Sequence, residues 1–156
     1  MLRVVRGLGA AAIAVAIGGA APARETQAPD FAKYAEPGNV VLAIRANIGA
    51  AGGEVRLLGY DHAEDFLTRA ALKYDAKVNA DGIAIAELRG LHAGPYAFVA
   101  YYDANGDGKL NRDVLGRPKE PYGFSNNVRP KLRKPHFDEA KVDVAPGEVI
   151  VMTLEN

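Results

Sequence analysis

The sequence contains no cysteine, which excludes disulfides, thiol catalysis, iron–sulfur clusters and cysteine-based zinc sites. Tryptophan is absent as well, and neither sign of charge is in excess, with 19 basic and 19 acidic residues. Removing Arg3 and Arg6 with an N-terminal segment leaves 17 basic against 19 acidic residues, a net charge of −2. Nothing in that balance points to nucleic acid or an anionic membrane as the main partner. The apolar run from Leu8 to Ala21 has 14 residues, three of them glycine, and falls short of the roughly 20 that a membrane-spanning helix needs. What is plentiful is glycine (17) and proline (9), a composition of short elements joined by turns rather than of a helix bundle.

The N-terminus has the layout of a removable signal. Arg3 and Arg6 form a positive head, the apolar run follows, and Ala21-Pro22-Ala23 offers the small residues that a signal peptidase accepts. Cleavage after Ala23 leaves 133 of the 156 residues, one domain's length, in the periplasm or outside the cell. With no cysteine near that point, a lipid anchor on the new N-terminus is excluded. Residues 24–38, with Pro29, Pro37 and Gly38, are expected to form a flexible leader to a domain at 39–156.

Within that domain, Val40, Leu42, Ile44, Ala46 and Ile48 alternate with other residues, the period of two of a strand with one face buried. Val55 and Leu57 continue the pattern near 54–60, after a turn at 49–53. Ala63, Phe66, Leu67 and Ala70 then follow a helical spacing, with Asp61 and Glu64 set as a capping box, so a short helix is expected near 62–72. Asp81-Gly82 between Ala76–Ala80 and Ile83–Ile85 predicts a hairpin. Tyr96, Phe98, Ala100 and Tyr102 alternate in the next strand, where Tyr96 stands as a tyrosine corner. Val142–Val144 and Val149–Leu154, joined across Pro146-Gly147, close the set. The expectation is an all-β domain: one Greek-key sandwich, immunoglobulin-like or transthyretin-like, of about seven strands with one short helix and a long ordered loop.

That loop is the 37-residue connection between Tyr102 and Ala140, far longer than usual and therefore functional or disordered. It holds four of the nine prolines, but Leu110, Leu115, Tyr122, Phe124, Leu132 and Phe137 punctuate it with groups that pack, so it is expected to be ordered. It opens with the first half of an EF-hand-type loop. Asp103, Asn105 and Asp107 stand at positions one, three and five, Gly108 at the turn, the Lys109 carbonyl at seven, and Asn111 beyond. Val114 replaces the usual glutamate at twelve, leaving Asp113 or Glu120 to complete a shell. Calcium is one reading; an Asx- and Gly-rich turn that needs no ion is the other.

Gly94-Pro-Tyr96-Ala97, Asp103-x-Asn105-x-Asp107-Gly108-Lys109, Gly116-x-Pro118-x-Glu120-Pro-Tyr122-Gly123-Phe124-Ser125-Asn126 and Pro135-x-Phe137-x-x-Ala140 together resemble the domain-of-unknown-function 2141 family of secreted bacterial proteins. The resemblance covers roughly 40–154. It implies export and a small β-rich domain, and supplies no reaction, ligand or catalytic residue.

Other constellations have plain structural readings. His62, His92 and His136 lie in separate segments without metal spacing. Ser125 and His136 form a nucleophile–base pair only on paper, because no strand–turn–helix elbow surrounds the serine. Arg129, Lys131, Arg133 and Lys134 make either a solvated face or a surface for an anionic partner. Tyr101, Tyr122 and Phe124 are core aromatics or a stacking platform for a sugar, with Glu120 beside them. The leading expectation is an exported, non-enzymatic binding or envelope-associated module, its partner a protein or glycan of the cell envelope. The alternatives are a carbohydrate-binding module, discriminated by coplanar exposed aromatics, and a small extracytoplasmic hydrolase.

Overall fold

Side-chain alternation sets which way each strand faces, and the computed structural model describes the result for residues 30–46, 48 and 52–156. The expected signal segment 1–23, the leader as far as 29 and turn residues 49–51 lie outside the described residues. Strands β1 (Val40–Arg45), β2 (Glu54–Tyr60), β3 (Leu72–Lys77) and β4 (Ile83–Leu88) are followed by β5 (Gly94–Asp103), β6 (Tyr122–Phe124), β7 (Lys141–Val144) and β8 (Val149–Thr153). They form two sheets. One has the order β4-β1-β8, the other β3-β2-β5-β6, with β7 also paired to β5. In the first, β1 runs antiparallel to β4 and parallel to β8, so the two ends of the domain lie side by side.

The sandwich core takes one parity from each strand: Leu42 and Ile44, Val55 and Leu57, Phe98, and Met152 are fully buried between the sheets. Each such side chain contributes about 1.5–3 kcal/mol by leaving water. The expected all-β sandwich is therefore present, with β6 as an eighth strand inside the long excursion.

Three local expectations need correction. The helical spacing at 63–70 yields only a 3-10 turn at Ala63–Asp65, because Leu67 takes a left-handed φ of 63° that a helix does not tolerate. Phe66, Leu67 and Ala70 still share an apolar face, since they pack against the outside of the second sheet. The Asp81-Gly82 turn forms, closed by Gly82 N–H donating to the Asn79 carbonyl at 3.0 Å, but the strands it joins diverge into different sheets after a single bridge between Val78 and Ala84. Tyr96 stacks on Phe98 at 5.9 Å in the main core, and its hydroxyl makes no hydrogen bond to the connection before it, so it is not a corner. The short helix is elsewhere, at α1 (Phe137–Ala140), where the Glu139 carboxylate accepts from the His136 N–H at 2.7 Å.

Candidate functional site

β5 is buried along both faces, and that is what builds the site. A strand with water on one side carries its apolar residues on one parity only; here Ala97 and Val99 on the outer parity are as apolar as Phe98 and Ala100 on the inner. The outer face of the second sheet therefore needs a cover. Register places Leu58 opposite Val99, Val99 opposite Phe124, and Tyr101 opposite Tyr122, so side chains from three strands form one apolar floor. Tyr60, at the end of β2, extends it.

The cover comes in two arms. Residues 104–121 fold over one side and residues 125–140 over the other, and between them and the floor remains a cavity of about 300 Å³. The first arm contributes Leu110, Arg112 and Pro118 to its wall. The second contributes Val128, Arg129, Arg133 and Lys134. Among the described residues, no acidic side chain lines it.

The polar groups at the cavity are donors. Tyr60 is 4% exposed, and its hydroxyl makes no hydrogen bond to the described residues but keeps contact with solvent at the cavity. Burial pushes the Tyr60 phenol above its ordinary pKa, so it stays a neutral O–H. Burial also raises Tyr101, whose hydroxyl donates to the Gly108 carbonyl at 2.9 Å and ties the first arm to the floor. Arg129 lies 3.3 Å from the Glu155 carboxylate. Arg133 forms a two-point contact with Glu139, at 2.7 and 2.8 Å. That contact and the His136 N–H hold the Glu139 carboxyl down at about 2. Arg112 and Lys134 have no carboxylate within ion-pair distance among the described residues, which leaves two uncompensated cations at the wall. An apolar floor, an unpartnered phenol and a cationic wall together suit a ligand with an apolar body and one negative charge.

A family model described as an uncharacterized protein conserved in bacteria (DUF2141) matches residues 46–151, from the end of β1 into β8. The chain belongs to this family. No curated protein and no solved structure matches it. In this DUF2141 protein the matched span contains every residue that lines the cavity.

Of the residues singled out by spacing, Tyr101, Tyr122 and Phe124 meet in the cavity floor, while Glu120 does not reach it. Glu120 is buried at 5% exposure, accepting from the N–H groups of Ala104 and Asn111 at 3.0 and 2.8 Å, and so staples the two ends of the first loop together. The Tyr122 and Phe124 rings meet edge to face at 89°, and Tyr101 and Phe124 are buried, so the three form no coplanar exposed platform.

The proposed metal set is brought together as a turn. Asp103 is buried, and one oxygen accepts from the N–H groups of Gly106 and Asp107 at 2.7 and 3.1 Å. The other accepts from Gly108 N–H and from Arg56 Nε, both at 2.8 Å. Arg56 chiefly, and then these N–H groups, hold the Asp103 carboxyl below the usual carboxylate range. Asn105 and Asn111 both donate to Asp107 Oδ2, whose partner oxygen accepts from Lys109 N–H at 2.9 Å. Asp113 sits apart, capping the next turn by accepting from Leu115 and Arg117 N–H at 2.9 Å each. Asp103 thus faces four N–H donors, three from the loop backbone and one from Arg56. Among the described residues, no three His, Asp or Glu side chains are placed to hold a metal.

Ser125 is fully buried and spends its hydroxyl on the backbone, accepting from Phe98 N–H at 2.8 Å and donating to the Ala140 carbonyl. Sequence reasoning left Tyr60, Arg112 and Lys134 unassigned to any pocket. The signal for Tyr60 was its parity with Leu58, two residues earlier on β2; for Arg112 none exists, because only the fold of the arm carries it to the cavity.

Proposed function

We propose that this protein is an exported, non-enzymatic binding module that holds one small amphipathic anion between the outer sheet face and the two arms. The observation that carries this reading is the cavity itself: an apolar floor, an unpartnered Tyr60 hydroxyl and a wall with Arg112 and Lys134 lacking carboxylates. At about 300 Å³ it lies at the small end of ligand pockets, which run from about 300 to 1,000 Å³. At a liquid-water share of roughly 30 Å³ per non-hydrogen atom it has room for on the order of ten such atoms, more when packed tightly. A non-enzymatic role is supported by Ser125, whose hydroxyl serves two backbone groups and is not free as a nucleophile. For the 103–111 loop we propose closure by Arg56 and backbone donors, with no ion.

Calorimetric titration with decanoate, decanol and decylamine tests the reading. Decanoate is expected to bind at least about tenfold more tightly than decanol, the equivalent of about 1.4 kcal/mol, and decylamine not to bind. Leu110→Trp, which fills the cavity from the first arm, should abolish decanoate binding. Failure of all three probes would remove the cavity as a ligand site.

A further inference from the structure

Three of the large apolar side chains that stand exposed among the described residues lie on the two arms: Val114 and Leu132 are fully exposed and Leu115 is 73% exposed. The first two-residue tip is a rigid presentation. Arg112 and Pro118 form a bridge, Asp113 N–H donates to the Arg117 carbonyl at 2.8 Å, and Gly116 N–H donates to the Asp113 carbonyl at 2.9 Å. With the Asp113 side chain accepting from Leu115 and Arg117 N–H, the backbone of this turn is satisfied and gains nothing from apolar side chains at its apex. Leu132 stands on the second arm between Lys131 and Arg133, where Arg133 is fastened to Glu139. Both arms line the same cavity, so both tips belong to the cover of the outer face of the second sheet.

Charge follows the same division. Residues 104–135 carry eight basic and three acidic side chains, whereas the remainder of 24–156 carries nine basic and sixteen acidic. Two of the three acids in 104–135 are engaged internally: Asp113 with Arg117 at 2.8 Å and the buried Glu120 with backbone N–H groups. The near-neutral chain is therefore polarised, with a cationic side that bears fully exposed apolar tips.

We propose that this side docks on an anionic phospholipid bilayer, with Val114, Leu115 and Leu132 entering the interface and Lys119, Lys131 and Lys134 meeting the headgroups. A lipid surface fits better than an acidic protein because the apolar groups are separate protruding tips. Such tips slip individually between headgroups, while a protein interface buries a continuous patch.

The absence of native tryptophan makes single Trp reporters unambiguous. Leu115→Trp and Leu132→Trp place one on each arm, and Tyr74→Trp places one on β3, at the opposite edge of the sheet from β6. The full-length variants are mixed with vesicles of phosphatidylcholine alone, or of phosphatidylcholine and phosphatidylglycerol in equal parts. Emission from both arm reporters should move to shorter wavelength with the anionic vesicles only, and emission from Tyr74→Trp should not move. Lys131→Gln combined with Lys134→Gln should weaken binding about 25-fold, roughly fivefold for each charge near the surface. The N-terminal apolar segment is common to all the variants, so an equal shift from all three reporters means binding through that segment and overturns the proposal. Arm reporters that stay unmoved, or that move equally with neutral vesicles, overturn it too.

Discussion

Ser125 shows how one side chain can decide local architecture. Its hydroxyl links the Phe98 N–H of β5 to the Ala140 carbonyl at the end of α1, and so joins the second arm to the central strand in a place closed to water. Ser125→Ala removes the partner of two buried backbone groups at once. The expected cost is about 2 kcal/mol, measured by urea unfolding, and a loss below about 0.5 kcal/mol would show that both groups find other partners. Gly123, two residues earlier, has an equally local reason: a Cβ there would overlap the Thr153 carbonyl oxygen, because β6 crosses hard against the end of β8. Asn127 then accepts from Thr153 N–H at 2.9 Å and donates to the Val151 carbonyl at 3.3 Å, covering part of the free edge of β8 against pairing with another chain.

At the scale of elements, the 103–111 loop and the 111–119 hairpin look alike in composition and differ in attachment. The loop is fastened three ways, by Arg56 on Asp103, by Tyr101 on the Gly108 carbonyl and by Glu120 on both of its ends. The hairpin is held within itself by Asp113. Calorimetric scans of the protein are therefore expected to show no chelator-sensitive change in Tm up to about 10 mM calcium, tenfold above the weakest extracellular calcium modules. A rise of several degrees that a chelator reverses would mean that calcium displaces Arg56 from Asp103. The spacing of Asp103, Asn105, Asp107 and Gly108 was legible in the sequence, as a calcium loop or as an Asx-Gly turn that needs no ion. Its electrostatic partner was not, because Arg56 lies 47 residues away and reaches Asp103 only through the pairing of β2 with β5.

For the whole molecule, the described residues contain no helix long and apolar enough to cross a membrane. We propose that the domain reaches the envelope through removal of the N-terminal segment. Sequencing of protein recovered from the envelope or medium should then find Arg24 first, and a Met1 start on cytoplasmic protein would count against export. Net charge hides a division at this scale. A chain balanced to within two charges carries eight basic and three acidic residues over 104–135 and an excess of acids elsewhere.

Alternation of apolar residues along β2 and β8, with the short apolar runs of β1 and β5 bounded by turn residues, was enough, by itself, to specify an all-β sandwich, because a period of two buries one face of a strand whatever the partner is and an unbroken run suits a strand covered on both faces. The glycine and proline positions likewise marked most of the turns. Tertiary structure alone decided what covers the outer face of the second sheet. The pattern Ala63, Phe66, Leu67, Ala70 carried a helical period, but its apolar side chains were selected by that face, and Leu67 gave up helical φ to reach it. The cavity has the same origin. Tyr60, Tyr101 and Tyr122 come from three strands, and Arg112 and Lys134 from two arms, so no stretch of sequence contains the site; it exists only where strand pairing and arm folding bring distant residues to one wall.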